Sequence, residues 1–220
     1  MNRDLGGKSM LSWLIVVICS GYLLGCLHGA RIAQLISGVN LKQAGVKNYG
    51  ASNATIVLGK KFGALVAAID IGKGFLAVIL AHILAVHAGL SDENSALIIF
   101  IAGATVVIGH TFPFHMKFNG GKGTATLIGI LFGIHWLFGL IAFIIFIVTA
   151  LATDYLVFGV LTLYLSLLSF SIWLSPGIWP SLIATVLFLI ALFKHYENIQ
   201  RMKKGEESRI TTVFKKNKES

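Results

Sequence analysis

Trp136-Leu-Phe-Gly-Leu-Ile-Ala-Phe-Ile-Ile-Phe-Ile-Val-Thr-Ala-Leu-Ala-Thr153 carries no charged side chain and lies within an apolar mass extending from Thr124 to Phe193. Runs approaching about 20 apolar residues match the length of a bilayer-spanning helix. The whole chain has the same character. Of its 220 residues, 56% are hydrophobic and 12% are charged, too apolar for a soluble domain of this length. Prolines number three and no segment sustains period-2 alternation, so helices rather than a β-barrel should cross the bilayer. The fold class is an all-α, polytopic integral membrane bundle.

Outward from that run, polar breaks divide the mass at Gly133-Ile-His135, Thr153-Asp-Tyr155 and Ser175-Pro-Gly-Ile-Trp-Pro180. Before it, helices are expected near 10–30, 62–86 and 95–112. Orientation follows from charge. The stretch from Arg31 to Lys61 holds five basic residues and no acid, and the tail after Phe193 holds eight Lys or Arg against four acids, so both belong inside. Asp92 and Glu93 mark the opposite face. Parity then gives about seven transmembrane helices, with the N-terminus outside and the C-terminus cytoplasmic. Arg3 and Lys8, outside in this scheme, run against the charge rule. The fourth helix, 124–134, would rise only about 16 Å, which suits a half-helix packed inside the bundle. One transmembrane domain, 1–193, with cytoplasmic motif loops at 31–61 and 110–123, should precede a basic cytoplasmic tail, 194–220. The N-terminal apolar run is read as a membrane helix rather than a signal peptide, because it is long and lacks a clear cleavage site. Cys19 and Cys26, seven residues apart on that helix, are too distant for a disulfide.

Polar chemistry concentrates in three clusters on the inner face. The first extends from Asn40 to Asn53 and on through Lys60-Lys61 to Asp70 and Lys73. The second is Gly109-His-Thr-Phe-Pro-Phe-His-Met-Lys-Phe-Asn-Gly-Gly-Lys-Gly-Thr-Ala-Thr126. Gly120, Gly121 and Gly123 around Lys122 let backbone N–H groups and an ammonium approach a phosphoryl group together. The third is Lys194-His-Tyr-Glu-Asn-Ile-Gln-Arg201, where residues 194, 198 and 201 share a helix face. Blander readings stand beside these. The glycines suit helix packing, the tail lysines suit orientation and anionic lipid, and Asp70 with Lys73 suits a structural pair.

In these motifs the chain resembles the bacterial acyl-phosphate-dependent glycerol-3-phosphate acyltransferases, the PlsY family. The resemblance rests on Gly45-Val-Lys-Asn-Tyr-Gly-Ala-Ser-Asn53, Leu58-Gly-Lys-Lys61, Asp70-Ile-Gly-Lys-Gly74, Gly109-His-Thr-Phe-Pro113, Phe118-Asn-Gly-Gly-Lys-Gly-Thr-Ala-Thr126 and His195-Tyr-Glu-Asn-Ile-Gln-Arg201, and covers nearly the whole chain. It implies a multi-pass protein of the bacterial cell membrane whose site faces the cytoplasm. The implied reaction moves a fatty acyl group from acyl phosphate to the sn-1 hydroxyl of glycerol 3-phosphate, giving lysophosphatidic acid and phosphate for phospholipid synthesis. No cofactor or metal is implied. The implied partners are the two substrates, the bilayer and an acyl-phosphate-forming enzyme that hands over the donor; nucleic acid is not among them.

Lys122, His195 and Asn198 are the expected catalytic residues. Lys42, Lys47, Asn48, Asn53, His110, Gly120, Gly121, Gly123 and Arg201 are the expected substrate-binding ones, with His110 alternatively holding the loop. Lys42 stands where the family usually has arginine. Further departures are Cys26 and His28 in place of the serine and proline of G-S-x-P, Val46 in G-S-G-N, and Asp154 and Val157 in T-R-Y-x-S. They leave open a divergent paralogue with an altered acceptor. A transporter of a phosphorylated small molecule is the alternative from another class, although no internal repeat is visible. His87-Ala-Gly-Leu-Ser-Asp92 fits an H-x-x-x-x-D acyltransferase pattern, but falls on the face opposite the cations. No G-x-S-x-G elbow, Walker loop or clustered metal-ligand pattern occurs.

Overall fold

The computed structural model describes residues 10–212. Arg3, Lys8 and the tail lysines Lys215, Lys216 and Lys218, which entered the charge argument, lie outside the described residues. Its helices are α1 (Met10–Gly25), α2 (Gly29–Ser37), α3 (Ala51–Leu58), α4 (Lys60–His87), α5 (Asp92–Thr111), α6 (Thr124–Ile134), α7 (Trp136–Thr153), α8 (Leu156–Trp173) and α9 (Trp179–Lys203), with a 3-10 turn at Phe114–Met116. Among the described residues, six segments are long and apolar enough to cross a membrane, α1 and α2 together forming the first. The eleven-residue α6 is a shorter apolar helix, as its sequence implied.

Two boundaries differ from expectation. The stretch 31–61, read as a loop, carries most of α2 and all of α3. Both are short, and helices of this length are held by packing rather than propensity. Ala30 and Ala33 of α2, Ala54 of α3 and Val66 of α4 form a small apolar cluster with Leu41 and Tyr49. The expected boundary at 193 falls inside α9, so the third motif sits on the last helix itself.

Helix α5 is the centre of the bundle, with eleven of its twenty residues buried. By contrast, α7 buries only Gly139, Ala142, Phe146 and Ala150, and exposes Leu137, Ile141, Ile144, Ile145 and Val148. Such an exposed apolar face belongs against lipid. Trp136, Trp173 and Trp179 are exposed together at one end, where an interfacial aromatic belt sits. Burial from lipid supplies little driving force, so close helix approach holds the bundle. A side chain at Gly129 on α6 would strike the Ile71 carbonyl of α4, and one at Gly74 on α4 would strike the Thr126 carbonyl of α6.

The break between α1 and α2 is stitched from α4. Lys73 Nζ donates to the Gly25 carbonyl at 2.9 Å and to the Leu27 carbonyl at 2.5 Å. Asp70 Oδ1 accepts from Gly29 N at 3.3 Å and lies 3.0 Å from Lys73 Nζ. An ammonium thus meets the orphan carbonyl ending α1 and a carbonyl of the link, while a carboxylate meets an orphan N–H opening α2, each helix end matched to its local dipole. This supports the structural reading of the pair.

Candidate active site

The loop after α5, the loop before α3, the α7–α8 turn and the end of α9 all lie at the end of the bundle away from the tryptophans. His87 and Asp92 flank the α4–α5 turn at the far end, so that pattern is no part of the site.

The glycine loop dips inward. A methyl on Gly123 would stand 3.3 Å from the Tyr164 hydroxyl, and Tyr164 lies eight residues into α8, about 12 Å along it. Helix α6 is therefore short because its starting point is recessed. Gly123, at φ 85°, turns the chain into α6.

The backbone donors differ from the sequence reading. Gly120 N donates to the Thr111 carbonyl and Gly121 N to the His110 carbonyl, each at 3.1 Å. Those N–H groups close the loop on the end of α5 and do not point at a ligand. The first intrahelical bond of α6 is Leu127 N to the Gly123 carbonyl at 2.8 Å. The N–H groups of Thr124, Ala125 and Thr126 precede it and bear the positive end of the helix dipole beside Lys122.

Lys122 Nζ donates to Asn198 Oδ1 across the site. Asn198 Nδ2 donates to Glu207 Oε1 at 2.6 Å, and Arg201 Nε donates to Glu207 Oε2 at 2.7 Å. Lys122, Asn198 and Arg201 are thus brought together as expected. Glu207, beyond the third motif, is a member that the sequence reading missed. Burial, then repulsion from Arg201, holds the Lys122 ammonium below the usual lysine range, at about 8, against partial opposition from Glu207 and Glu197. His195 is buried one turn before Asn198, within reach of the Lys122 charge. Its Nδ1 lies 2.9 Å from the Ala191 carbonyl. A carbonyl only accepts, so Nδ1 carries the hydrogen and Nε2 of the neutral ring carries the lone pair.

The remaining expected residues divide by role. Asn53 is fully buried and its amide is spent on the loop. Its Oδ1 accepts from Val46 N at 2.8 Å, and its Nδ2 donates to the carbonyls of Leu41, Ala44 and Asn48 at 2.8 to 3.1 Å. It shapes the site wall instead of facing a ligand, and the Asn48 carbonyl is one of its ties. His110 is also buried, with Nδ1 2.8 Å from Lys73 Nζ and its ring stacked 4.5 Å from His28, so it supports the loop from beneath. Lys47 is exposed in a left-handed turn, φ 54°, and makes no side-chain hydrogen bond among the described residues. Lys42 lines a cavity of about 440 Å³ with Arg31, Tyr49, His115, Met116, Lys117 and Asn119. That cavity is a second cationic surface, and Lys42 lies within electrostatic reach of Lys194 on α9.

Departures from the family pattern also find places. Cys26 and Val157 are buried, and both cysteines are free. Asp154, at φ 60°, turns α7 into α8 and accepts from Thr211 N and Thr211 Oγ1 at 2.9 and 2.8 Å. Those bonds hold its carboxyl below the usual range.

The fold and this geometry define a polytopic helical membrane protein with a recessed polar cluster centred on Lys122 at one end of its bundle. Residues 15–205 match the model of the family described as glycerol-3-phosphate acyltransferase, and the chain belongs to that family. It is 39% identical to glycerol-3-phosphate acyltransferase 1 of Oceanobacillus iheyensis, over 93% of this chain and 98% of that one. It is 33% identical to the glycerol-3-phosphate acyltransferase of a Thermoanaerobacter species, over 90% and 96%. The crystal structure of PlsY, an integral membrane glycerol 3-phosphate acyltransferase, in its glycerol 3-phosphate form superposes with a TM-score of 0.79 at 29% identity, covering 90% of this chain and 95% of that one. Its lysophosphatidic acid form gives 0.76 at 29% identity, covering 89% and 94%. The expected membrane acyltransferase class therefore holds, in place of the transporter alternative.

Proposed function

We propose that this chain transfers a fatty acyl group from acyl phosphate to the sn-1 hydroxyl of glycerol 3-phosphate, at a site facing the cytoplasm of a bacterial inner membrane. The observation that carries this reading is the recessed Lys122, tied to Asn198 of the last helix at the positive end of α6. Two phosphorylated substrates repel each other, so the reaction needs cations for both. Lys122, Arg201 and the α6 terminus supply one group. Arg31, Lys42 and Lys117 around the neighbouring cavity supply another. The glycerol hydroxyl oxygen attacks the acyl carbonyl carbon, the carbon–oxygen bond to phosphate breaks, and inorganic phosphate leaves. An acyl phosphate is already activated, so proximity and charge stabilisation suffice without a protein nucleophile. A donor phosphate oxygen takes the proton of the attacking hydroxyl, while His195 Nε2, an acceptor, is suited to hold the glycerol through its other hydroxyl. An acyl-phosphate-forming enzyme would supply the donor by handover.

Purified protein in detergent, given palmitoyl phosphate and glycerol 3-phosphate, is expected to release phosphate and lysophosphatidic acid in equal amounts. Folded protein that turns over no acyl phosphate of any chain length would overturn this reading.

A further inference from the structure

The chain continues to contribute to the site after α9. Gly205, at φ 72°, reverses its direction, and residues 206–212 return across the site end toward the α7–α8 turn. This strap is fastened at both ends. Near α9, the Glu207 carboxylate accepts from Asn198 Nδ2 at 2.6 Å and from Arg201 Nε at 2.7 Å. Farther along, Ile210 N donates to the Asp154 carbonyl at 3.1 Å, and Thr211 donates twice to the Asp154 carboxylate. Arg209 lies 5.7 Å over the Tyr155 ring. Asp154, an acid where the family pattern carries a cation, is here the strap's anchor.

An asparagine amide presents one donor end and one acceptor end, while a carboxylate only accepts. Glu207 therefore binds the donor end of Asn198 and leaves Oδ1 facing Lys122. The amide then keeps its orientation when a substrate phosphate draws on the lysine's other hydrogens. We propose that Glu207 is a positioning residue for the acyl transfer, fixing the Asn198 amide and the Arg201 guanidinium through a strap anchored on Asp154. The inference rests on the acyl-transfer reading of the site. It carries an electrostatic corollary. Lys122 faces Arg201, Lys194, His195 and Glu197 of α9 together with Glu207, and Glu207 offsets part of the cationic repulsion that destabilises its charged form.

The test compares wild type, Glu207→Ala, Glu207→Gln and the exposed neighbour Glu206→Gln in detergent, with thermal unfolding run alongside. Glu207→Ala is expected to lower kcat by about 10- to 100-fold, the cost of a misplaced catalytic group. The alkaline limb of its kcat/KM profile should move to lower pH. Glu207→Gln keeps an acceptor for Asn198 but turns a donor toward Arg201 Nε, so it should recover part of kcat, while its alkaline limb still moves down. Glu206→Gln should match wild type. Folded Glu207 variants with unchanged kcat and unchanged alkaline limb would remove the inference. So would a Glu207→Ala enzyme faster than wild type, the mark of a carboxylate that blocks the phosphate. Wild-type turnover separates the two levels: an inactive wild type removes the acyl-transfer reading and this inference with it, whereas an active one with indifferent Glu207 variants removes the inference alone.

Discussion

Lys73 and Asp70, one turn apart on α4, bind opposite ends of the break between α1 and α2, the ammonium holding carbonyls at Gly25 and Leu27 and the carboxylate holding the N–H of Gly29. The side chains lie 3.0 Å apart and are almost wholly buried. Removing one member leaves the other charge buried without its partner, which costs about 3–5 kcal/mol, whereas removing both spares that penalty. Lys73→Met is therefore expected to lower thermal stability in detergent sharply. Asp70→Asn with Lys73→Met should lower it less than the single lysine change. A double variant less stable than Lys73→Met would show that the pair is worth more than its burial costs.

Lys122 spans the site from the glycine loop to Asn198 on α9. Stabilisation of developing charge by one such group is worth about 10²–10³ in kcat. Lys122→Ala should lose activity by about that factor, measured as phosphate release, with thermal unfolding close to wild type because the side chain is only half-buried. Unchanged kinetics would remove the loop from the chemistry.

The same ammonium sets a pH dependence. Burial and the neighbouring Arg201 hold it at about 8, so it is charged below that value and neutral above it. Activity that needs the charge falls as pH rises through about 8. The free enzyme's kcat/KM reports this limb, while bound phosphate should push the corresponding limb in kcat upward. Lys122→Arg keeps its charge throughout and should lose the limb, even if the larger guanidinium lowers the plateau. A limb that persists in Lys122→Arg belongs to another group.

The apolar runs alone mark the helices, including the short one at 124–134, because bilayer thickness imposes a length that sequence displays directly. Lys122, Asn198 and Arg201 are visible through the motifs that carry the family resemblance, since cations at a membrane face also serve orientation and lipid contact and do not mark a site by themselves. What the sequence hides is which partner a polar group finds. Gly120 and Gly121 read as anion donors, yet their N–H groups close the loop on α5. Asn53 reads as a pocket ligand, yet four backbone groups consume its amide. Asp154 reads only as a departure from the family pattern, until the Thr211 contacts show a strap that no local spacing announces. Helices α2 and α3 are hidden for a related reason, since tertiary contacts rather than composition hold them.

His195 tests how much of the proton transfer belongs to the protein. Its Nδ1 is held by the Ala191 carbonyl, which leaves Nε2 as an acceptor in the neutral ring. If the donor phosphate takes the proton of the attacking hydroxyl, Nε2 serves to hold the acceptor through its other hydroxyl, and its loss costs geometry rather than the base. His195→Ala should then reduce kcat by about 10²-fold, the scale of a misplaced reactant, and leave measurable turnover. His195→Asn, which restores an acceptor near the same place, should recover part of the loss. An obligate histidine base predicts otherwise: no turnover in either variant, with glycerol 3-phosphate binding retained in calorimetry. That outcome would move the proton from the donor phosphate to the imidazole.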